Sequence, residues 1–444
     1  MAIMVRRLSL LLTVTVSILQ VQAFKVNKIR GFYSTKFISS HYFASENELK
    51  STSSSTSEND DDKKWDMSQS QADLFQQLDE TTFAYEGRLP SGGKDFRCGF
   101  TCIVGAPNMG KSTLMNALLQ EDLCVATRRP QTTRHAILGV ITKDDRQLCL
   151  VDTPGVIGDP AYKLQEGMME AVMGAFHDAD ILLVVTDIFS TPIPDDDLFT
   201  KVQNSKKPVI VVVNKVDLEW NVNPDSQENE QEGRTITVED AVTRWRSLLP
   251  RAMAIIPLSA EEGVNQKGVT ALRTLLLGGV DVPAAFRELG RPILGMFPEG
   301  VQFISDDVAK ELLPLGPPLY DEETLTDRSE RFFASEIIRS ALFRKLNKEL
   351  PYCCEVRIVT FREPKPNDEK KLIRIEANVL VERDSQKIIV IGKGGEVVKA
   401  IGIDAREKLE DFLQMQVHLQ LNVKVEKDWR KNEQLLKQFG YLKS

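Results

Sequence analysis

Gly105-Ala106-Pro107-Asn108-Met109-Gly110-Lys111-Ser112-Thr113 follows an apolar segment at 100–104 and runs into the helical pattern of Leu114, Met115, Ala117, Leu118 and Leu119. A GxxxxGK[ST] run between a strand and a helix is a phosphate cradle. Its glycines let the backbone wrap tightly, so that successive N–H groups at a helix N-terminus point at phosphate oxygens. In that setting Lys111 reaches the β- and γ-phosphates, and the Ser112 hydroxyl holds Mg2+.

Around this loop, short apolar runs alternate with helical stretches. Candidate strands are 100–104, 136–142, 147–151, 181–186, 208–213 and 255–258, and their near-continuous Val/Ile/Leu content predicts a parallel sheet covered on both faces. The expected fold class is therefore α/β, a doubly wound P-loop domain spanning 96–280.

Three further boxes follow candidate strands of that domain. Asp152-Thr153-Pro154-Gly155 closes the strand at 147–151, about 40 residues after the loop. A carboxylate there can hold Mg2+, and the Gly155 amide can contact a third phosphate, which makes the next segment a switch. Asn214-Lys215-Val216-Asp217 follows the strand at 208–213. The Asp217 carboxylate can accept from the two N–H groups on one edge of guanine, a donor pair that adenine lacks. Ser259-Ala260 follows the strand at 255–258 and can offer a backbone N–H to the guanine oxygen. Between the first two boxes lies Thr127-Arg128-Arg129-Pro130-Gln131-Thr132-Thr133-Arg134-His135, where Thr133, in preference to Thr132, is the expected second Mg2+ hydroxyl.

These boxes together predict GTP binding by 105–113, by Asp152, Thr153, Pro154, Gly155 and Val156, by Asn214, Lys215, Val216 and Asp217, and by Ser259 and Ala260. Ser112, Thr133 and Asp152 are the expected Mg2+ ligands, and Lys111, Thr133 and Gly155 the catalytic set for hydrolysis of GTP to GDP and phosphate. Val156 stands where a Ras-type protein has its water-orienting glutamine. It offers no hydrogen bond, so slow intrinsic hydrolysis is expected.

The chain has 444 residues, too many for one ordinary core, and its net charge of -8 is unevenly spread. From residue 331 to the end there are 23 Lys/Arg against 17 Asp/Glu, while acid gathers at 46–80, 219–232 and 299–330. A basic C-terminal module on an acidic chain points to an anionic partner. The six cysteines show no CxxC pair and no metal-ligand spacing, and Cys102 and Cys149 sit in apolar runs, so buried thiols are expected.

At the N-terminus, Arg6 and Arg7 precede an apolar run at 8–19, which gives a signal-peptide pattern over 1–23. Residues 24–45 continue with Lys25, Lys28, Arg30 and Lys36 and lack acid. The pair resembles the bipartite address of proteins imported into complex plastids, which implies the plastid stroma. A mitochondrial presequence (and so the matrix) and an uncleaved membrane anchor are the alternatives. Residues 46–95 read as a disordered linker, 219–235 as a mobile acidic insertion and 281–327, rich in proline, as an irregular connector.

A second domain, 328–444, reads as a helix at 329–350, strands at 354–361, 372–382 and 387–391, two short helices, a strand at 417–425 and a final helix at 429–438. Ile391-Gly392-Lys393-Gly394-Gly395 would then be a GxxG loop between a strand and a helix. Such a loop lets a nucleic-acid backbone approach closely, with Lys393 and Lys399 attracting phosphate and Ile389 and Ile391 lining a groove.

The boxes above resemble those of the Era family of ribosome-assembly GTPases. So do Thr326-Asp327-Arg328-Ser329, Ala334-Ser335-Glu336-Ile337-Ile338-Arg339, Glu349-Leu350-Pro351-Tyr352, Ile401-Gly402-Ile403-Asp404-Ala405-Arg406 and Phe439-Gly440-Tyr441-Leu442. The resemblance covers 96–280 and 320–444. It implies a GTPase domain followed by a smaller α+β type II KH domain that binds small-subunit ribosomal RNA near its 3′ end. The implied role is in assembly of the small ribosomal subunit of an organelle, as a monomer. The membrane association of bacterial relatives adds a peripheral membrane contact, and a GTP-gated RNA or membrane adaptor with incidental hydrolysis is the alternative function. Asn108 also resembles the P-loop asparagine of potassium-dependent GTPases, which implies K+ beside Mg2+. The departures are the N-terminal address, the acidic insertion and extra residues at 290–320.

Overall fold

The computed structural model describes residues 95–127, 129–156, 160–190, 197–221, 237–263, 266–278, 312–365 and 371–442. The targeting segment, nearly all of the linker, most of the acidic insertion and the connector up to residue 311 lie outside these residues.

Six strands form the first sheet: β1 (Arg97–Val104), β2 (Ile137–Lys143), β3 (Arg146–Asp152), β4 (Ile181–Asp187), β5 (Val209–Asn214) and β6 (Ala254–Pro257), in the order β2-β3-β1-β4-β5-β6. Every residue of β4 and of β5 is buried, as their unbroken apolar runs require. Helices α1 (Lys111–Leu119) and α5 (Lys267–Leu276) cover one face. Helices α2 (Lys163–Asp178), α3 (Asp197–Gln203) and α4 (Val238–Leu248) cover the other.

The sheet is mixed, which corrects the all-parallel expectation. β2 runs antiparallel to β3 because only Asp144 and Asp145 separate them, and a parallel pair needs a crossover of a dozen residues or more. Asp144 turns the hairpin at φ 52. The neighbours of β1 are β3 on one side and β4 on the other, so the chain changes direction at β1 and opens a crevice beyond its C-terminal end.

Residues 312–325, irregular in backbone, are docked onto this sheet. Leu312 and Leu313 belong to its core, and Pro314 and Leu325 accept backbone N–H groups from Cys98 and Val140. The fully buried side chain of Gln147 fastens the strap. Its Oε1 accepts from the N–H groups of Leu319 and Tyr320 at 2.7 and 3.0 Å, and its Nε2 donates to the Tyr320 carbonyl at 2.7 Å.

In the second domain α6 (Glu330–Lys345) and α7 (Leu350–Cys353) precede a three-stranded sheet of β7 (Glu355–Arg362), β8 (Leu372–Val381) and β9 (Gln416–Val425). β7 and β8 are antiparallel, whereas β8 and β9 are parallel and are connected through α8 (Asp384–Ile391) and α9 (Glu396–Leu413). The chain ends in a 3-10 turn at Trp429–Lys431 and α10 (Glu433–Gln438), where one helix is expected from sequence.

Two further corrections concern the GxxG region. The strand expected at 387–391 is the C-terminal half of α8, and the two short helices are the single 18-residue α9. Gln386 starts α8 by accepting the N–H groups of Glu382 and Arg383 at 2.9 and 3.0 Å. Of the run Ile388-Ile389-Val390-Ile391 only Val390 enters the core. All six cysteines are buried and free, as expected from their apolar surroundings.

Candidate nucleotide and nucleic-acid sites

The P-loop connects β1 to α1 at the point where the sheet order reverses. Gly110 precedes the helix at φ 85 and Asn108 stands exposed at φ 64. Lys111 is 6% exposed and its Nζ donates to the carbonyls of Gly105 and Ala106, both at 3.0 Å. Burial pulls the ammonium down to about 8, against the opposing charge of Asp152. An open cleft lies over the loop, lined by Pro107, Asn108, Lys111, Ser112, Thr133 and Gly155 among others.

Three oxygen-bearing side chains converge at its floor. Ser112 Oγ donates to Asp152 Oδ2 at 2.6 Å and lies 2.9 Å from Thr133 Oγ1. Thr132 also lines the cleft but is outside this cluster, its hydroxyl donating to the Arg129 carbonyl at 2.9 Å. Asp152 is fully buried, and its Oδ1 has no hydrogen-bond partner. Burial raises its carboxyl to about 6 although Lys111 and Ser112 pull the other way. An orphaned carboxylate oxygen beside two hydroxyls is a hard, all-oxygen donor set of the kind Mg2+ takes.

The Asp152–Gly155 turn packs directly on the P-loop. A Cβ at Gly155 would lie 2.8 Å from Pro107 Cα, and the Val156 N–H donates to the Gly105 carbonyl at 3.2 Å. Thr153 is buried with its hydroxyl on the Ile103 carbonyl at 2.6 Å, Pro154 is buried, and the Val156 side chain packs against the core.

Asn214 ties the remaining boxes together. Its Nδ2 donates to the Met109 carbonyl at 2.8 Å, and its Oδ1 accepts from the Ala260 N–H at 2.9 Å. Of the Ser259-Ala260 pair, from which the sequence expects one backbone N–H for the guanine oxygen, the Ala260 N–H is thus engaged by Asn214, and Ser259 is fully buried beside it. Lys215 adopts φ 61 and pairs with Asp187 at 3.2 Å. Val216 and Asp217, both half-buried, open a 3-10 turn at Val216–Asn221.

The second candidate site is the turn between α8 and α9. Gly392, Gly394 and Gly395 adopt φ 77, 62 and 83, values that side-chain-bearing residues rarely reach. Lys393 and Lys399 are exposed, Ile391 is half-buried, and Ile388 and Ile389 expose 71% and 53% of their surface. The turn therefore joins two helices, and α9 packs against β9, an edge strand whose Leu419, Leu421 and Val423 are half-buried.

Sequence reading misses the residues that join the domains. Arg134 reaches Glu355 at 2.9 Å, Arg339 reaches the Thr132 carbonyl at 3.1 Å, and Tyr441 stacks on His135 with ring centroids 4.2 Å apart. Arg134 and Tyr441 stand inside quoted motifs, but nothing local in sequence pairs them with partners 200 or more residues away.

Residues 100–215 match the family described as 50S ribosome-binding GTPase, and residues 349–430 match the KH domain. GTPase Era of Xylella fastidiosa (strain M12) is 34% identical over 346 residues, which cover 78% of this chain and 98% of that protein. The chain belongs to the Era family of GTPases. GTPase ERA1, chloroplastic, of Zea mays is also 34% identical, over 78% of this chain and 70% of the maize protein. Two solved Era structures superpose on 78% of the chain and 99% of their own. One, from Aquifex aeolicus, is bound to GDP and AlF4− (TM-score 0.60, 28% identity). The other is in complex with MgGDPNP and nucleotides 1506–1542 of 16S ribosomal RNA (TM-score 0.61, 29% identity). An Era-type GTPase domain followed by a KH domain is thus the architecture of this chain.

Proposed function

We propose that this Era-family GTPase is a GTP-controlled RNA-binding switch that grips small-subunit ribosomal RNA near its 3′ end and assists assembly of the small ribosomal subunit in an organelle, the plastid being favoured. The observation that carries the RNA reading is the exposed Gly392–Gly395 turn between two helices, flanked by Lys393, Lys399 and the uncovered Ile388 and Ile389. The solved Era–16S ribosomal RNA complex and the chloroplastic relatives in maize and rice support it. The address at 1–45 supports import into a plastid.

In this reading residues 105–113 cradle the phosphates, Asp217 selects guanine, and Asn214 braces the P-loop against the Ser259-Ala260 turn. Ser112, Thr133 and Asp152 would hold Mg2+, which supplies neutralisation of charge on the β- and γ-phosphoryl oxygens. Asn108, exposed at the cleft, is the residue proposed to hold K+. Lys111, already aligned on the loop carbonyls, moves its ammonium to the β–γ region when nucleotide enters. Gly155 brings its N–H to the third phosphate, while the apolar Val156 leaves the attacking water unoriented and hydrolysis slow.

The test is RNA binding by the full chain and by a Lys393→Asp/Gly394→Asp variant, using an oligonucleotide of the small-subunit 3′ end. The variant is expected to lose RNA binding and keep its affinity for GTP. RNA binding equal to the parent's would remove the GxxG turn from the interface.

A further inference from the structure

The segment that brings Thr133 to the nucleotide cleft is held from outside the GTPase domain. Immediately before it, the Thr132 carbonyl accepts from Arg339 Nη2 on α6. Immediately after it, Arg134 is 3% exposed and donates to the Cys354 carbonyl at 3.0 Å and to Glu355 Oε2 at 2.9 Å. It also donates to the carbonyls of Pro351 and Tyr352, both at 3.3 Å. These are carbonyls at the end of α7; that of Pro351 also accepts the Cys354 N–H at 3.4 Å.

The two arginines share one buried network. Arg339 Nη1 donates to Tyr441 Oη at 3.1 Å, that hydroxyl donates to Glu355 Oε2 at 2.7 Å, and Glu336 pairs with Arg339. His135 completes the grip, stacked on Tyr441 and edge-on to Phe332 at 5.4 Å. Two cations face two carboxylates, so the network is neutral as well as dry. None of Arg134, Arg339, Glu355 or Tyr441 lines the nucleotide cleft.

We propose that Arg134 and Arg339 are positioning residues for Thr133: by anchoring the peptides on either side of it to the KH domain, they hold its hydroxyl within reach of Ser112 before nucleotide arrives. Ordering a loop around a ligand costs conformational entropy. A loop already pinned at both neighbours of its key residue spares GTP that cost. GDP, which has no third phosphate to recruit Thr133, gains nothing from the pinning. The inference rests on the reading of Thr133 as the closing ligand of the GTP state.

The experiment measures, in the full chain, affinities for a fluorescent non-hydrolysable GTP analogue and for GDP, together with amide hydrogen exchange of the 127–135 segment in the nucleotide-free protein. Arg134→Lys and Arg339→Lys keep the charge and lose the forked geometry. Each is expected to lower the ratio of GTP-analogue to GDP affinity about tenfold and to speed exchange in the segment. Thr133→Val is expected to lower the same ratio, and Thr133→Val/Arg134→Lys to be no worse than Thr133→Val alone. Tyr441→Phe, which removes one bridging hydroxyl, should lower the ratio by about threefold and the melting temperature by a few degrees while the protein stays folded at the assay temperature, and so decides the matter if an arginine variant fails to fold. If Thr133→Val lowers the ratio while the arginine and tyrosine variants leave it and the exchange unchanged, the positioning role is overturned and the Thr133 assignment stands. If Thr133→Val itself leaves the ratio unchanged, both fall.

Discussion

Asp152 is the residue at which function and stability pull apart most clearly. Its carboxyl is fully buried with one oxygen unpartnered, and its pKa rises from 3.8 to about 6, burial outweighing Lys111 and the Ser112 hydroxyl. At 1.36 kcal/mol for each pH unit, that displacement corresponds to about 3 kcal/mol. The sign follows from the folded value lying above the unfolded one. The stabilisation is complete below about pH 3.8 and is lost as the pH rises through about 6, so at neutral pH the ionised group burdens the empty protein. Asp152→Asn removes that burden but also takes the opposing charge from buried Lys111, which returns part of it. We expect nucleotide-free Asp152→Asn to be more stable than the parent by about 1–3 kcal/mol at pH 7.5, with the gap closing toward pH 4. Urea denaturation in EDTA across that range measures it, and Mg2+-dependent binding of a fluorescent GTP analogue by the same variant should be largely lost. A variant no more stable than its parent at pH 7.5, or a gap independent of pH, would refute the reasoning.

Three further outcomes are expected. Asp217→Asn should shift preference from GTP toward xanthosine triphosphate, because the exocyclic donor of guanine is replaced by an acceptor; an unchanged preference in competition binding would remove Asp217 from base recognition. Gly155→Ala forces a methyl against Pro107 backbone atoms at 2.8 and 3.0 Å, so the P-loop or the turn must shift, and single-turnover hydrolysis should fall by about tenfold or more. Gln147→Leu takes the side-chain partner from two N–H groups and one carbonyl of the partly exposed 319–320 segment, and thermal or urea unfolding should show a loss of about 1–3 kcal/mol.

The parts of this molecule legible in sequence are those whose physics is local. The unbroken runs of β4 and β5 admit no exposed face, and each nucleotide box is a short backbone-shaping motif at a strand end. β2 kept its position but not its direction, since burial pattern carries no information about strand polarity. The run of β-branched residues in α8 reads as a strand by propensity. Its capping by Gln386 and the outward-facing Ile388 and Ile389 show a helix that gives only Val390 to the core. Gln147 reads as one polar residue in a strand, because its three partners on the strap lie more than 170 residues away.

The helix after the Asp152–Gly155 turn is also tied to the KH domain, by packing where the Thr132–His135 segment is tied mainly by charge. Leu164 and Met168 of α2, the helix that follows the Asp152–Gly155 turn, share a buried cluster with Trp429, Leu436 and Tyr441 from the C-terminal tail. A Cβ at Gly167 would come 2.5 Å from the Tyr441 carbonyl, so the tail lies against the α2 backbone itself. Trp429 in turn donates to the Cys353 carbonyl at 3.0 Å, on the same α7 that Arg134 caps. Fully burying side chains of this size contributes roughly 1.5–3 kcal/mol each. A displacement of α2 therefore has to repack the tail or carry the KH domain with it. Tyr441 belongs to both attachments, stacked on His135 of the first loop and packed on the helix after the second. In the proposed reading, in which both segments sense the third phosphate, they converge on one aromatic side chain, so that moving either of them disturbs the packing of Tyr441.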